Sequence, residues 1–255
     1  MIRSLAGFYK AVAFLALTLS LMPVQWVLLK LDHPYAEILP HHYHRLLCKI
    51  LGVKISVEGA VQLSGLVVAN HVSWLDIPVL STLHPVSFVT KKEVAAWPLF
   101  GTMARLQRCI FIDRQNRAAS AAAGDVLASA LHAGKTIVLF PEGTSNSGRS
   151  LKPFKSSFFA CALQAECLVY PVCLVYRGQH GLPLTLRQRP RIAWYGDMEL
   201  LPHLWDYLKS GPCHVQVVIG APLNPKSFTD RKALAAEAEQ RIREALAGEF
   251  QTALT

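Results

Sequence analysis

Several signatures are missing from this chain, and each absence removes a class of function. It contains no G-x-x-x-x-G-K-[ST] phosphate loop, no G-x-G-x-x-G after a strand and no G-x-S-x-G elbow. A nucleotide-dependent enzyme and the common serine hydrolase are both disfavoured by that. The six cysteines, Cys48, Cys109, Cys161, Cys167, Cys173 and Cys213, show no C-x-x-C spacing and lie mostly in apolar surroundings. They read as buried, reduced thiols in a cytosol-facing domain, not as a disulfide framework. Acidic residues are also few: 17 stand against 26 lysines and arginines, leaving a net charge of +9. That balance favours anionic partners such as phospholipid headgroups, phosphorylated carriers or nucleic acid, although a basic run is also what a solvated face shows.

Charge of either sign is scarce, at 17% of residues against 52% apolar, which points to membrane association. Residues 11–29 carry no charge and are bracketed by Lys10 and Lys30. As a helix they would measure about 28 Å, just short of the ~30 Å hydrocarbon core. Pro23 and Gln25 interrupt the run, so a kinked helix or a re-entrant segment held on one face competes with a full crossing. No small-x-small cleavage site is evident, which argues against a signal peptide. Residues 35–51 repeat apolar side chains at helical spacing and are expected to form an amphipathic helix at the membrane surface or against the first helix. His41, His42 and His44 within it lack companion Cys or acidic ligands, so no metal site is expected. The expected division is 1–51 as membrane-anchoring helices and 52–255 as an α/β domain.

Beyond residue 52, short apolar runs alternate with helical patterns. Strands are expected at 53–57, 66–69, 86–89, 109–112, 136–140, 168–176, 191–196 and 214–219. Helices are expected after Asp76 and over 91–106, 117–132, 204–209 and 230–250. The alternation indicates an α/β fold with a largely parallel central sheet flanked by helices. Function in such sheets collects at the carboxyl ends of strands. His71, Arg114 and Glu142 each lie just beyond such an end.

The stretch Asn70-His71-Val72-Ser73-Trp74-Leu75-Asp76 follows the strand at 66–69. A neutral imidazole suits proton abstraction near pH 7, and a carboxylate beside it fixes the tautomer. On one ideal helix, residues five apart diverge by roughly 140°. The pair therefore requires a turn entering a helix, and Pro78 is compatible with a first turn there. The competing reading makes Asp76 a plain N-cap and His71 an ordinary loop residue. In the second cluster, Pro141-Glu142-Gly143-Thr144, the glycine permits close backbone approach while Glu142 and Thr144 offer an acceptor and a donor.

Taken together, these clusters resemble the glycerolipid acyltransferase family, of the lysophosphatidic acid acyltransferase type, over residues 66–176. Four blocks carry the resemblance: His71-x-x-x-x-Asp76, Phe111-Ile112-Asp113-Arg114, Phe140-Pro141-Glu142-Gly143-Thr144 and Val169-Tyr170-Pro171-Val172. It implies a catalytic His71–Asp76 pair, with Arg114, Glu142, Gly143 and Thr144 holding a lysolipid acceptor. It further implies a membrane-bound enzyme facing the cytoplasm, which moves an acyl group from an acyl carrier protein or coenzyme A thioester. No other cofactor and no nucleic acid partner are expected. The family's third block usually continues into an arginine for the acceptor phosphate, and Ser145 stands there instead. The stretch from Ala193 to Trp205 resembles the branch that acylates lyso-ornithine lipid. A non-catalytic lipid binder and a thioester hydrolase are the rival readings.

Overall fold

The structure, a computed structural model, describes residues 2–113, 117–178 and 181–252. Its elements follow the order α1 (Ile2–Lys30), α2 (Tyr35–Leu51), β1 (Val53–Glu58), β2 (Leu66–Ala69), α3 (Asp76–Ser81), β3 (Ser87–Lys91), α4 (Phe100–Leu106), β4 (Ile110–Ile112), α5 (Arg117–His132), β5 (Ile137–Leu139), α6 (Ala160–Ala165), β6 (Val169–Arg177), α7 (Leu200–Lys209), β7 (Cys213–Ile219) and α8 (Arg231–Thr252). Among the described residues the strands form one seven-stranded sheet in the order β1-β7-β6-β2-β5-β3-β4. Every pairing is parallel except β6 with β7. The expected α/β fold with a largely parallel sheet is the one found.

Both faces of the sheet are covered, which explains why its central strands read as unbroken apolar runs. Successive side chains of a strand point to opposite faces. Val67, Ala69, Tyr170, Val172, Leu174 and Tyr176 accordingly pack with α2, α3 and α7. Leu66, Val68, Val169, Cys173 and Val175 pack with α5, α6 and α8. Partly buried Ala11, Phe14, Leu17 and Leu21 bring α1 onto the first of these layers.

Two local expectations fail, each for a physical reason. Residues 191–196 form no strand; a short 3-10 turn at Arg189–Arg191 leads into irregular chain whose Trp194 N–H donates to Val72 O at 2.9 Å. The pattern expected as one helix over 91–106 is broken, because Trp97 precedes Pro98 and takes an extended backbone (φ −72°, ψ 129°). A 3-10 segment at Lys92–Ala96 and the short α4 result. Pro23, by contrast, lies inside a helix that runs uninterrupted from Ile2 to Lys30.

Gln25, which looked like a flaw in an apolar span, is a clip. Pro40 lies inside α2 and has no N–H to offer the carbonyl four residues back, that of Ala36. Gln25 Nε2 donates to Ala36 O at 2.8 Å and to Leu106 O, at the end of α4, at 3.0 Å. One amide thus ties α1, α2 and α4 together.

Candidate active site

Because β2, β5, β3 and β4 are parallel neighbours, their carboxyl ends emerge on one edge of the sheet. Asn70 extends the ladder one step beyond β2. Its Nδ2 donates to Leu174 O at 2.9 Å, and Leu174 N donates to its Oδ1 at 2.7 Å. The chain therefore leaves β2 without slack, and His71 is placed relative to the sheet itself.

His71 Nδ1 lies 2.7 Å from Asp76 Oδ2. A carboxylate only accepts, so Nδ1 carries a proton, and in the neutral ring Nε2 is the nitrogen that presents a lone pair. Asp76 is fully buried while His71 keeps 18% side-chain exposure. Val72 N and Ser73 N also donate to Asp76 Oδ2, at 2.7 and 3.0 Å, and Tyr176 Oη donates to Oδ1 at 2.6 Å. These donors offset the loss of solvation of a buried carboxylate. Burial pushes the Tyr176 hydroxyl well above its ordinary pKa, and the adjacent Asp76 charge adds to the effect, so it stays a donor. The imidazole ring stacks on Phe140, with centroids 4.1 Å apart and planes at 14°.

Asp76 is not the N-cap of α3. Leu75 holds that position, and Asp76 is the first helical residue. Its carboxylate turns back to the loop amides of residues 72 and 73 and not forward to the helix. The turn that precedes α3 brings the side chains of residues 71 and 76 together, which a continuous helix would not.

Glu142 fastens this loop to the next. Its Oε1 accepts from His71 N at 2.7 Å, while Oε2 accepts from Asn146 Nδ2 at 2.5 Å and Lys152 N at 2.8 Å. Asn146 N donates to His71 O at 2.9 Å, closing the clasp. Burial raises the Glu142 pKa, against the opposing pull of these donors and of His71. Gly143 has φ 77°, the left-handed region that glycine enters freely, and its N–H turns back to Phe140 O at 3.0 Å. Arg114 lies outside the described residues.

A cavity of about 520 Å³ opens beside the ring, lined by His71 and by Gly143, Thr144 and Ser145. Its remaining wall is mostly apolar and includes Phe88, Val94, Trp97, Phe100, Trp194 and Leu204. Trp74 Nε1 donates to His203 Nδ1 at 3.0 Å, and His203 Nε2 lies 3.2 Å from Ala193 O, so the chain at 193–204 is fixed over the site. Burial lowers the His203 pKa and keeps it in this neutral, bridging form.

His71, Asp76, Glu142, Gly143 and Thr144 thus converge. Only His71, Gly143 and Thr144 of these line the cavity, and both Glu142 oxygens are taken by protein donors. Tyr176, Asn70 and Asn146 escaped the sequence reading. The available signal for Tyr176 was its place at the carboxyl end of a predicted strand, and for Asn70 its place directly after one.

A family model described as Acyltransferase matches residues 54–175. The chain is 39% identical over 252 residues to the lyso-ornithine lipid O-acyltransferase of Brucella abortus (strain 2308), covering 95% of this chain and 94% of that one. It is 38% identical to the protein of the same name from Rhizobium meliloti (strain 1021), covering 90% and 82%. To the 1-acyl-sn-glycerol-3-phosphate acyltransferase of Neisseria gonorrhoeae it is 32% identical, covering 74% and 72%. The crystal structure of the 1-acyl-sn-glycerophosphate (LPA) acyltransferase from Thermotoga maritima superimposes with a TM-score of 0.69 at 20% identity, covering 97% of this chain and 94% of that one, a likeness of fold.

Proposed function

The chain belongs to the acyltransferase family, and on that premise we propose that it transfers a fatty acyl group from a thioester to the hydroxyl of a lysolipid, with lyso-ornithine lipid as the first acceptor to test. The observation that carries this reading is the His71–Asp76 pair, 2.7 Å apart, with His71 on the wall of a mostly apolar cavity. The cavity receives the acyl chain. His71 Nε2 takes the acceptor's hydroxyl proton as the oxygen attacks the thioester carbonyl carbon. Asp76 stabilises the imidazolium that forms, and collapse breaks the carbon–sulfur bond. The departing thiolate then recovers the proton from His71, and no acyl-enzyme is needed. General-base catalysis of this kind is worth about 10²–10⁴ in rate.

The developing oxyanion needs donors preorganised for it. Gly143 N is engaged with Phe140 O, so this role falls to the amides of Thr144 and Ser145, which make no hydrogen bond among the described residues. Glu142 acts by positioning the His71 backbone. Lyso-ornithine lipid is favoured over lysophosphatidic acid by the relatives that share most of the chain and by the neutral Ser145 on the cavity wall. The donor is an acyl carrier protein or coenzyme A thioester, and a net charge of +9 suits either anionic carrier.

Residues 1–51 serve as the anchor and 52–255 as the catalytic unit facing the cytoplasm. The anchor lies along the domain. Lys10 Nζ donates to Leu51 O at 3.2 Å, and Gln25 bonds α2 and α4. These points are 15 residues, about 22 Å, apart on one helix. The opposite side of α1 exposes Leu5, Phe8, Val12, Leu15 and Leu19. A helix fastened along its length embeds that side in one leaflet instead of crossing the bilayer.

The test offers the purified full chain a labelled acyl thioester with lyso-ornithine lipid or lysophosphatidic acid. Acylated lipid is the expected product. Free fatty acid alone would make it a hydrolase, and no consumption would make it a binding protein.

A further inference from the structure

Two rows of rings border the cavity beside His71. In the first, the His71 imidazole stacks on Phe140, and Phe140 lies 6.3 Å from Phe88 with planes at 19°. His71 follows β2, Phe140 follows β5 and Phe88 lies within β3, so this row runs across three neighbouring strands, about 10 Å at their usual spacing. The second row holds no group suited to taking a proton. Trp97 and Trp194, which line the same cavity, meet edge to face with ring centroids 6.3 Å apart and planes at 79°.

These indoles reach each other across the site. Trp194 belongs to the connection that leaves β6, and Trp97 to the one that leaves β3. In the sheet those two strands flank β2 and β5, whose carboxyl ends lead into His71 and Gly143. Each indole is held from its own side. Trp194 N donates to Val72 O, one residue from the base, and Trp194 Nε1 donates to Met198 O at 2.8 Å. Trp97 N donates to Val94 O at 3.1 Å, and Gly101 N donates to Trp97 O at 2.9 Å. Where the rings touch, one wall of the site closes on the other.

The base does not by itself choose a nucleophile. A water beside His71 Nε2 would surrender a proton to the ring, attack the thioester carbonyl carbon and break the carbon–sulfur bond; the thiolate would recover that proton, and a fatty acid would leave. Transfer to a lipid hydroxyl therefore requires water to be kept from the base while the thioester is in place. We propose that the Trp97–Trp194 bridge does this, and so determines that the acyl group goes to a lysolipid hydroxyl and not to water. Indoles that meet edge to face present apolar surface, and a contact between two separately anchored segments admits a lipid by parting and shuts water out by closing. The proposal rests on the transferase reading of this site.

Two measurements on the full chain test it. The contact is read without activity: two indoles this close couple excitonically, so the far-ultraviolet circular dichroism should carry a couplet that Trp97→Phe and Trp194→Phe each remove. A spectrum that neither substitution alters overturns the bridge. The partition is read as the ratio of free fatty acid to acylated lysolipid formed from a labelled acyl thioester, a ratio that the fraction of folded enzyme does not change. Trp97→Ala and Trp194→Ala should each raise it by about two- to tenfold, the shift in closed population when one aromatic pair is lost. The phenylalanine variants, which keep a ring at the contact, should stay near the wild-type ratio. The double alanine variant should do no more than the worse single, because one contact is broken only once. An unchanged ratio in the alanine variants, an equal rise in the phenylalanine ones, or a double variant whose effect is the product of the singles overturns the proposal. A wild type that yields only fatty acid, or consumes no thioester, refutes the transferase reading and the role with it, whereas the dichroism still decides whether the contact forms.

Discussion

Replacing Asp76 by asparagine separates a chemical role from a structural one. The carboxylate accepts from His71 Nδ1, Val72 N and Ser73 N through Oδ2, and from Tyr176 Oη through Oδ1. An asparagine oxygen in the Oδ2 position keeps the first three bonds. Its NH₂ then meets the Tyr176 oxygen, which accepts once its hydroxyl rotates. The rotated Tyr176 proton and the second amide hydrogen are left without an acceptor among the described residues. The charge is lost as well, about 1 kcal/mol per bond between charge-assisted and neutral strengths, partly offset because a neutral amide is easier to bury. A net destabilisation of about 1–3 kcal/mol leaves the chain folded. The rate behaves differently, since the imidazolium formed on proton abstraction loses its counter-charge; kcat should fall by about 10²–10⁴. Asp76→Ala is the contrast. It strands two amides and a phenol, at roughly 1–3 kcal/mol each, and approaches the whole stability of a domain. Thermal melts followed by circular dichroism, with initial rates of labelled acyl transfer, measure both effects. An Asp76→Asn protein with wild-type kcat would reduce Asp76 to a loop fastener and refute the proton relay.

His71→Ala should lower transfer by about 10²–10⁴ with little change in melting temperature, because the ring is partly exposed and only its Nδ1 is bonded; near-normal turnover would remove the proposed base. Tyr176→Phe leaves Asp76 Oδ1 without its donor and should lower stability by about 1–3 kcal/mol while sparing most of kcat; an unchanged denaturant midpoint would contradict the bond. Glu142 has a folded pKa above its unfolded 4.5, so the native state binds more protons than the unfolded one between those two values. Its contribution to stability therefore falls as pH rises through that window and is flat on either side. Urea midpoints of the wild type minus those of Glu142→Gln, taken upward from pH 4.5, should show that fall; a difference independent of pH would refute it. Glutamates in place of Phe8 and Leu19 should weaken vesicle flotation by at least about tenfold, as each removes one embedded apolar side chain. Unaltered flotation would place another surface at the bilayer.

What sequence could reveal here was local, and what it could not was contact across distance. Strand β2 and helices α2 and α5 fall at the residues expected because periodicity is a property of neighbours along the chain. The irregular stretch at 191–196 misled for the same reason: Ile192, Ala193 and Trp194 look like a strand, yet their partners are the Val72 carbonyl and the α7 histidine. Asp76 beside Ser73 reads as a cap, and only the tertiary turn shows its carboxylate facing backward. Tyr176 lies 100 residues from the carboxylate it serves, so its place at a strand end does not reveal that partner. Gln25 shows the same limit, since its use depends on a proline in another helix.

Asn70 and Asp76 both depend on β6, through Leu174 and Tyr176. During synthesis, a polypeptide that has emerged only through α5 already contains both members of the proposed proton relay. It lacks the rung that tightens one and the phenol that completes the other. The loop that carries them is therefore set only once a strand a hundred residues downstream has joined the sheet beside β2.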